Sequence, residues 1–135
     1  MKLARAAHLA LGRRGETAAC RLLEAKGFDI LARDWRVKAG ELDIVARDGA
    51  SMVFVEVKTL RRKGFFRPLD NLSAHQKKRN FHAAQLYLRM IGGRCLAVRF
   101  DLVEVVASRW RILEIRHHHD YLPRLNPEAW KEKVQ

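Results

Sequence analysis

The chain has 135 residues, enough for one domain around one sizeable hydrophobic core, and its 48% apolar content is that of an ordinary globular protein. No apolar run approaches the roughly 20 residues of a membrane span, and two cysteines without a CxxC pair exclude a disulfide scaffold and a cysteine-based zinc module. The 27 Lys and Arg against 15 Asp and Glu leave a net charge of +12, which favours a polyanionic partner, nucleic acid foremost. A ribosome-associated role, an anionic lipid patch and plain solubility are the alternatives.

In chain order, Arg5, His8 and Arg13 interrupt any N-terminal run that could serve as a signal-peptide core, so export is not expected and a reducing cytoplasm is the natural setting. Helical spacing from about Ala4 to Lys26 places Ala19, Leu22 and Leu23 on one stripe, with Gly27 as C-terminal cap. Strands follow over Phe28 to Arg36, Glu41 to Arg47 and Met52 to Thr59, the last two joined through Asp48-Gly49-Ala50-Ser51, a hairpin signal. A basic, aromatic loop, LRRKGFFRPLDN, leads to a second helix starting near Ser73, where Ser73 and Gln76 have capping-box spacing, with Phe81, Ala84, Leu88 and Ile91 as its buried face. Leu96, Val98, Phe100 and Leu102 alternate as in a half-buried strand. Trp110 to Ile115 forms another, with a turn near Ala107-Ser108. The order is αβββαββ. A helix between the third and fourth strands lets them run parallel through a right-handed crossover, giving an α/β domain over 1–135 with a mixed sheet of about five strands. The tail, 117–135, has few apolar anchors and no assigned path.

Alternation along the hairpin carries the chemistry. Val53, Val55 and Val57 share one face of their strand, and Phe54, Glu56 and Lys58 share the other; on the preceding strand Leu42, Ile44 and Ala46 oppose Glu41, Asp43, Val45 and Arg47. A two-residue turn at Asp48-Gly49 pairs Asp43 with Phe54, and one at Gly49-Ala50 pairs it with Glu56. Either keeps Leu42, Ile44 and Ala46 against the valines and puts Asp43, Glu56 and Lys58 on one surface. Two carboxylates that close repel each other and call for something positive between them. Hard oxygen ligands suit Mg2+ or Mn2+, the cations of phosphodiester hydrolysis, in which the metal polarises the phosphoryl oxygen. Lys58 is placed to orient water or neutralise charge on the phosphate. A solvated sheet face with a surface ion pair is the plainer reading. Glu16 tips the balance, because it lies three, four and seven residues before Ala19, Cys20 and Leu23, beside the stripe that packs on the sheet. A structural salt bridge to an arginine is the alternative for Glu16.

GRRGE followed by Ala19, Leu23 and Gly27, then GELDIVARDG, then FVEVKT together resemble the YraN-like family of small bacterial proteins, over roughly Leu11 to Val106. That family is related by fold to archaeal Holliday junction resolvases within the PD-(D/E)XK nuclease superfamily. The resemblance implies a restriction-endonuclease-like three-layer αβα core, with Asp43 and Glu56 as metal ligands, Lys58 as catalytic lysine and Glu16 as the auxiliary helical acid. It also implies a cytoplasmic Mg2+-dependent (or Mn2+-dependent) endonuclease acting on DNA, branched or otherwise structured substrates included, and a homodimer by analogy with resolvases. Leu42 departs from the proline of the superfamily name, and Leu60 stands where the YraN-like pattern has arginine.

For nucleic-acid contact the candidates are Arg61, Arg62, Lys63 and Arg67 in the loop, with Phe65 and Phe66, and Lys77, Lys78 and Arg79 on the second helix. His117 to His119 read as a solvated loop rather than a metal tract, and Cys20 and Cys95 as small buried residues. Two other classes compete with the enzyme: a nucleic-acid-binding protein that keeps the nuclease fold without cleaving, and a basic partner of a larger ribonucleoprotein.

Overall fold

The hairpin settles on one of the two permitted registers. In the computed structural model, which describes residues 2–62, 74–92 and 97–121, Ile44 pairs with Val55, Ala46 with Val53 and Asp48 with Ser51. The turn is therefore Gly49-Ala50, and Gly49 adopts φ 59°, a conformation that costs glycine nothing. Around this hairpin the elements run α1 (Lys2–Ala25), β1 (Asp29–Val37), β2 (Gly40–Asp48), β3 (Ser51–Arg61), α2 (Ala74–Met90), β4 (Ala97–Ala107) and β5 (Ile112–His118). The five strands lie in the order β1-β2-β3-β4-β5, with β3 and β4 parallel across the α2 connection and every other pair antiparallel. This is the αβββαββ order read from the sequence.

Both faces of the sheet are core. Ile44, Ala46, Val53, Val55, Val103 and Val105 pack under Ala19, Cys20 and Leu23 of α1, and Val45, Phe54 and Phe100 pack under Ala83, Ala84, Tyr87 and Leu88 of α2. The result is three layers, helix, sheet and helix. Gly27, at φ 90°, ends α1, and the Phe28 N–H bonds back to the Leu23 carbonyl at 3.0 Å, so the chain re-enters the core at Phe28.

Leu42 departs from the expected pattern. It belongs to the α2 cluster with Val45, whereas Ile44 belongs to the α1 cluster, so strict alternation breaks between Leu42 and Ile44. The pairing of β2 with β3 runs no further than Ile44 and Val55, and beyond it the Asp43 carboxylate accepts the Val57 N–H at 2.9 Å. A side-chain oxygen there takes the place of a ladder carbonyl. Three other expectations shift. Ile91 lies past the end of α2 and is 42% exposed, its place on the buried face taken by Tyr87. Trp110 belongs to the β4–β5 turn rather than to a strand. His117 and His118 belong to β5 rather than to a solvated loop, with the His117 side chain only 3% exposed. Cys20 is buried, and Cys95 and the tail beyond Tyr121 lie outside the described residues.

Gly15 sets the height of α1 over the sheet. A Cβ built there would stand 1.8 Å from Thr59 Oγ1, 2.8 Å from its Cβ and 2.9 Å from its Cγ2, so no rotamer of Thr59 makes room. Gly15→Ala is expected to destabilise the fold by about 1–3 kcal/mol, even though alanine favours the helix by about 1 kcal/mol. Thermal melting checks it, and the paired Thr59→Ala change should recover part of the deficit. Glu16, the next residue along, is carried by this close approach to the point where β2 and β3 separate.

Candidate active site

The separation of β2 from β3 opens a cleft of about 250 Å³, and Glu16, Asp43, Glu56, Lys58, Thr59 and Gln76 are among its lining residues. All four residues expected to form the catalytic group therefore meet, although they come from three elements, one helix and two strands. Glu16 descends from α1, Asp43 comes from the end of β2 beyond its last pair with β3, and Glu56 and Lys58 project from β3 toward the α2 side.

Glu56 is held on two sides by α2. Asn80 Nδ2 donates to its Oε2 at 3.0 Å and Gln76 Nε2 donates to its Oε1. Asp43 shares a hydrogen bond with Glu56 in addition to the one it accepts from Val57. Burial pushes Glu56 up to about 9, with the Asp43 carboxylate adding to the effect and Asn80 and Lys58 opposing it. Burial also raises Asp43, against the Val57 N–H. Glu16 rises to about 7, from burial first and then from the negative charge of Asp43 and Asp34. Burial and mutual repulsion thus oppose ionisation of these three carboxyl groups, and at neutral pH Glu56 retains its proton. Among the described residues Lys58 forms no hydrogen bond or ion pair, so its ammonium faces the cleft without being committed to a neighbour.

The crowded oxygens suit a hard divalent cation, which would neutralise the charge that burial and mutual repulsion now oppose. Asp43 and Glu56 are the pair positioned to hold it, with Glu16 adjacent. A second cluster also offers three donor atoms within 4.8 Å of one another, from Asp101, His117 and His119. Here the chemistry does not fit a metal. Asp101 already accepts four hydrogen bonds: Arg99 Nε at 3.0 Å, Arg99 Nη2 at 3.2 Å, His117 Nε2 at 2.8 Å and the Asp120 N–H at 2.9 Å. Lys26 donates to His117 Nδ1 at 2.9 Å, which leaves Nε2–H as the donor to Asp101. Burial would raise Asp101, but His117 and Arg99 outweigh it and hold the carboxylate below its usual range. With Arg99 also reaching Asp48 at 3.0 Å, this hub fastens β4, β5 and the β2–β3 turn together.

The expected nucleic-acid contacts are dispersed. Arg61 and Arg62 lie exposed at the end of β3, Lys78 and Arg79 are exposed on α2, and the Lys77 ammonium sits 5.6 Å from the centre of the Tyr121 ring. Lys63 and Arg67 lie outside the described residues, as do Phe65, Phe66 and Ser73. Sequence reasoning missed Gln76 as a site residue, having read it as half of a capping box, and missed Asn80, which is only 7% exposed. Their i, i+4 spacing extends the apolar stripe of Ala83, Ala84, Tyr87 and Leu88 backward with two amides, and polar residues continuing a buried face were the available signal. It also missed Glu104, the parallel partner of Lys58 on β4, which is wholly buried with one oxygen bonded to His118.

A sequence profile described as "Uncharacterised protein family UPF0102" matches residues 15–105, a span that holds Glu16, Asp43, Glu56 and Lys58. The chain belongs to the UPF0102 family. A UPF0102 protein of Streptomyces griseus is 46% identical over 101 residues, covering 74% of this chain and 85% of its own length. One from Symbiobacterium thermophilum is 42% identical over 95 residues, 70% of this chain and 80% of its own, and one from Rhodococcus jostii is 37% identical over 113 residues, 84% and 96% respectively. The UPF0102 match begins at Gly15 and includes β1 to β3, α2 and β4 nearly to its end, so it contains the whole of the Asp43–Glu56 junction.

Proposed function

We propose that this UPF0102 protein is a metal-dependent endonuclease that hydrolyses phosphodiester bonds in DNA, branched or structured DNA included. The observation that carries this reading is the pair Asp43 and Glu56, two carboxylates hydrogen-bonded together in a cleft that Lys58 also lines, their ionisation opposed by burial and by each other. Such a pair is costly for a merely structural purpose and gains a use when a cation binds.

Asp43 and Glu56 would hold Mg2+ or Mn2+, which when bound supplies charge neutralisation and polarisation of the phosphodiester. The protein's own groups account for the rest. Asn80 and Gln76 fix the orientation of Glu56, and the Val57 N–H fixes that of Asp43, so neither carboxylate needs to reorganise. Lys58 lies on the same strand face two residues beyond Glu56, where its ammonium can orient water or offset the negative charge that grows on the phosphate. Glu16, with its raised pKa near 7, can take up and release a proton at physiological pH. The net charge of +12 supports a nucleic-acid substrate, and the likeness to resolvase-type nucleases supports DNA.

A panel of linear, flapped and four-way DNA, incubated with Mg2+ or Mn2+, tests the proposal. Cutting of at least one substrate that chelator abolishes is the expected result. Binding without cutting under either metal would replace the enzyme with a nucleic-acid-binding protein of nuclease fold.

A further inference from the structure

A second basic surface lies beside the cleft on the opposite flank of α1, and nothing in the proposed chemistry uses it. Gly12 lines the cleft, and the next residue, Arg13, lines a separate groove of about 330 Å³ between α1 and the start of β5, together with Arg14, Thr17, Arg21 and Ile112. Arg14 Nη1 reaches across to the Arg109 carbonyl at 3.5 Å, which joins this groove to the β4–β5 turn. The Arg62 N–H bonds to the Ala107 carbonyl at 3.0 Å, so the exposed basic end of β3, four residues beyond Lys58, adjoins the same turn.

The turn presents an aromatic ring on a fixed support. Ser108 Oγ accepts both the Trp110 N–H at 3.3 Å and the Arg111 N–H at 3.1 Å, and the Ser108 N–H bonds to the Arg111 carbonyl at 2.8 Å. Trp110 is nevertheless 80% exposed, with the Arg109 guanidinium 5.1 Å from its ring centre. A large indole held out into water on a rigid turn costs solubility unless a partner covers it. Among the described residues Arg13, Arg14, Arg21 and Arg109 form no ion pair, so their charge is available to an anionic partner. Cations along a groove beside an exposed ring are the combination that grips an unpaired strand, phosphates on the arginines and a base stacked on the ring.

We propose that the groove between α1 and the β4–β5 turn, with Arg13, Arg14, Arg21 and Trp110, binds the single-stranded arm of a nucleic acid adjoining the catalytic cleft. This deepens the nuclease reading by naming the substrate class, DNA with an unpaired arm beside the cut, but the binding itself does not depend on cleavage. The test is fluorescence anisotropy of the full chain in chelator with a labelled single-stranded oligodeoxynucleotide, a fork and a blunt duplex of the same sequence. Trp110→Ala is expected to weaken the single strand and the fork about 5- to 50-fold, and Trp110→Phe to restore most of that. Arg14→Ala with Arg21→Ala should make the slope of log affinity against log salt shallower by about one per phosphate that the variant no longer neutralises. The blunt duplex should change by less than about two-fold with Trp110→Ala.

Affinities for the single strand and fork that stay within about two-fold of wild type in the Trp110 and arginine variants would overturn the proposal. So would an equal weakening on all three DNAs, which marks a diffuse charge effect, or a Trp110 dependence found only with anionic phospholipid vesicles. Circular dichroism melting of each variant separates weaker binding from a failure to fold. If wild type cuts nothing yet shows the Trp110-dependent preference, the nuclease reading falls and this one stands.

Discussion

Glu56→Ala is expected to reduce Mg2+-dependent cleavage of DNA by at least about 1,000-fold while leaving DNA affinity in chelator within about two-fold of wild type. Glu56 is the most heavily supported group in the cleft, with Asn80, Gln76 and Asp43 all bonded to it, and its removal takes away one of the two carboxylates positioned for the cation. Lys58→Ala should cost about 100- to 1,000-fold in kcat with little change in metal affinity, since an ammonium that offsets developing charge acts on the transition state. Asn80→Ala tests the support separately. It should weaken metal binding about 10- to 100-fold and be partly compensated by raising the metal concentration, the behaviour of a positioning residue. Single-turnover cutting across a metal titration distinguishes the three. Equal cutting by wild type and Glu56→Ala would remove Glu56 from the mechanism.

The second large effect concerns stability. Glu56 holds its proton up to about pH 9 and Glu16 to about pH 7 in the folded protein, against an ordinary value of 4.5 for both. Folded-state pKa values raised above unfolded ones mean that the contribution of these groups is fully present below about pH 4.5 and is lost as pH rises through 7 and 9. Metal-free protein should therefore weaken steadily across that window. Each pH unit by which a pKa is moved corresponds to about 1.4 kcal/mol, and because Glu56 shares its proton with Asp43 in a cleft open to water, the realised loss is expected to be about 2–4 kcal/mol. Glu56→Gln removes most of this dependence and should melt about 5–10 °C above wild type at pH 8 without metal. Mg2+ should reverse the ranking, stabilising wild type and leaving Glu56→Gln unchanged. A wild-type melting temperature flat from pH 5 to 9 would contradict the crowding of the three carboxyl groups.

How much of this was legible in the sequence depended on whether the controlling contact was local. Alternating valines at Val53, Val55 and Val57 were enough to place Glu56 and Lys58 together, because burial of an apolar face dictates where the polar one goes. The choice between two hairpin registers was not legible, since both satisfy the same burial. The structure takes the one that continues Asp43 toward Glu56. The break at Leu42 was hidden because GELDIVA continues the alternation through the point where the strands separate, and only the Asp43 bond to Val57 reveals it. Glu16 could be suspected from its place on the α1 stripe. That Gly15 brings it into the cleft required knowing that α1 crosses β3 at Thr59. His117 was misplaced for the same kind of reason: ILEIRHH looks polar toward its end, but Phe28, Lys26 and Asp101, all distant in sequence, enclose it.

Asp43 and Glu56 are proposed to form a divalent-cation site. Calorimetric titration of the full chain with Mn2+ at pH 7.5, in two buffers of different ionisation enthalpy, tests it directly by reporting both affinity and proton release. One site is expected, with close to one proton released per ion because Glu56 is protonated at that pH, and with binding lost in Asp43→Asn and in Glu56→Gln but kept in His117→Ala. Binding that survives both carboxylate variants, or that disappears with His117→Ala alone, would contradict the account.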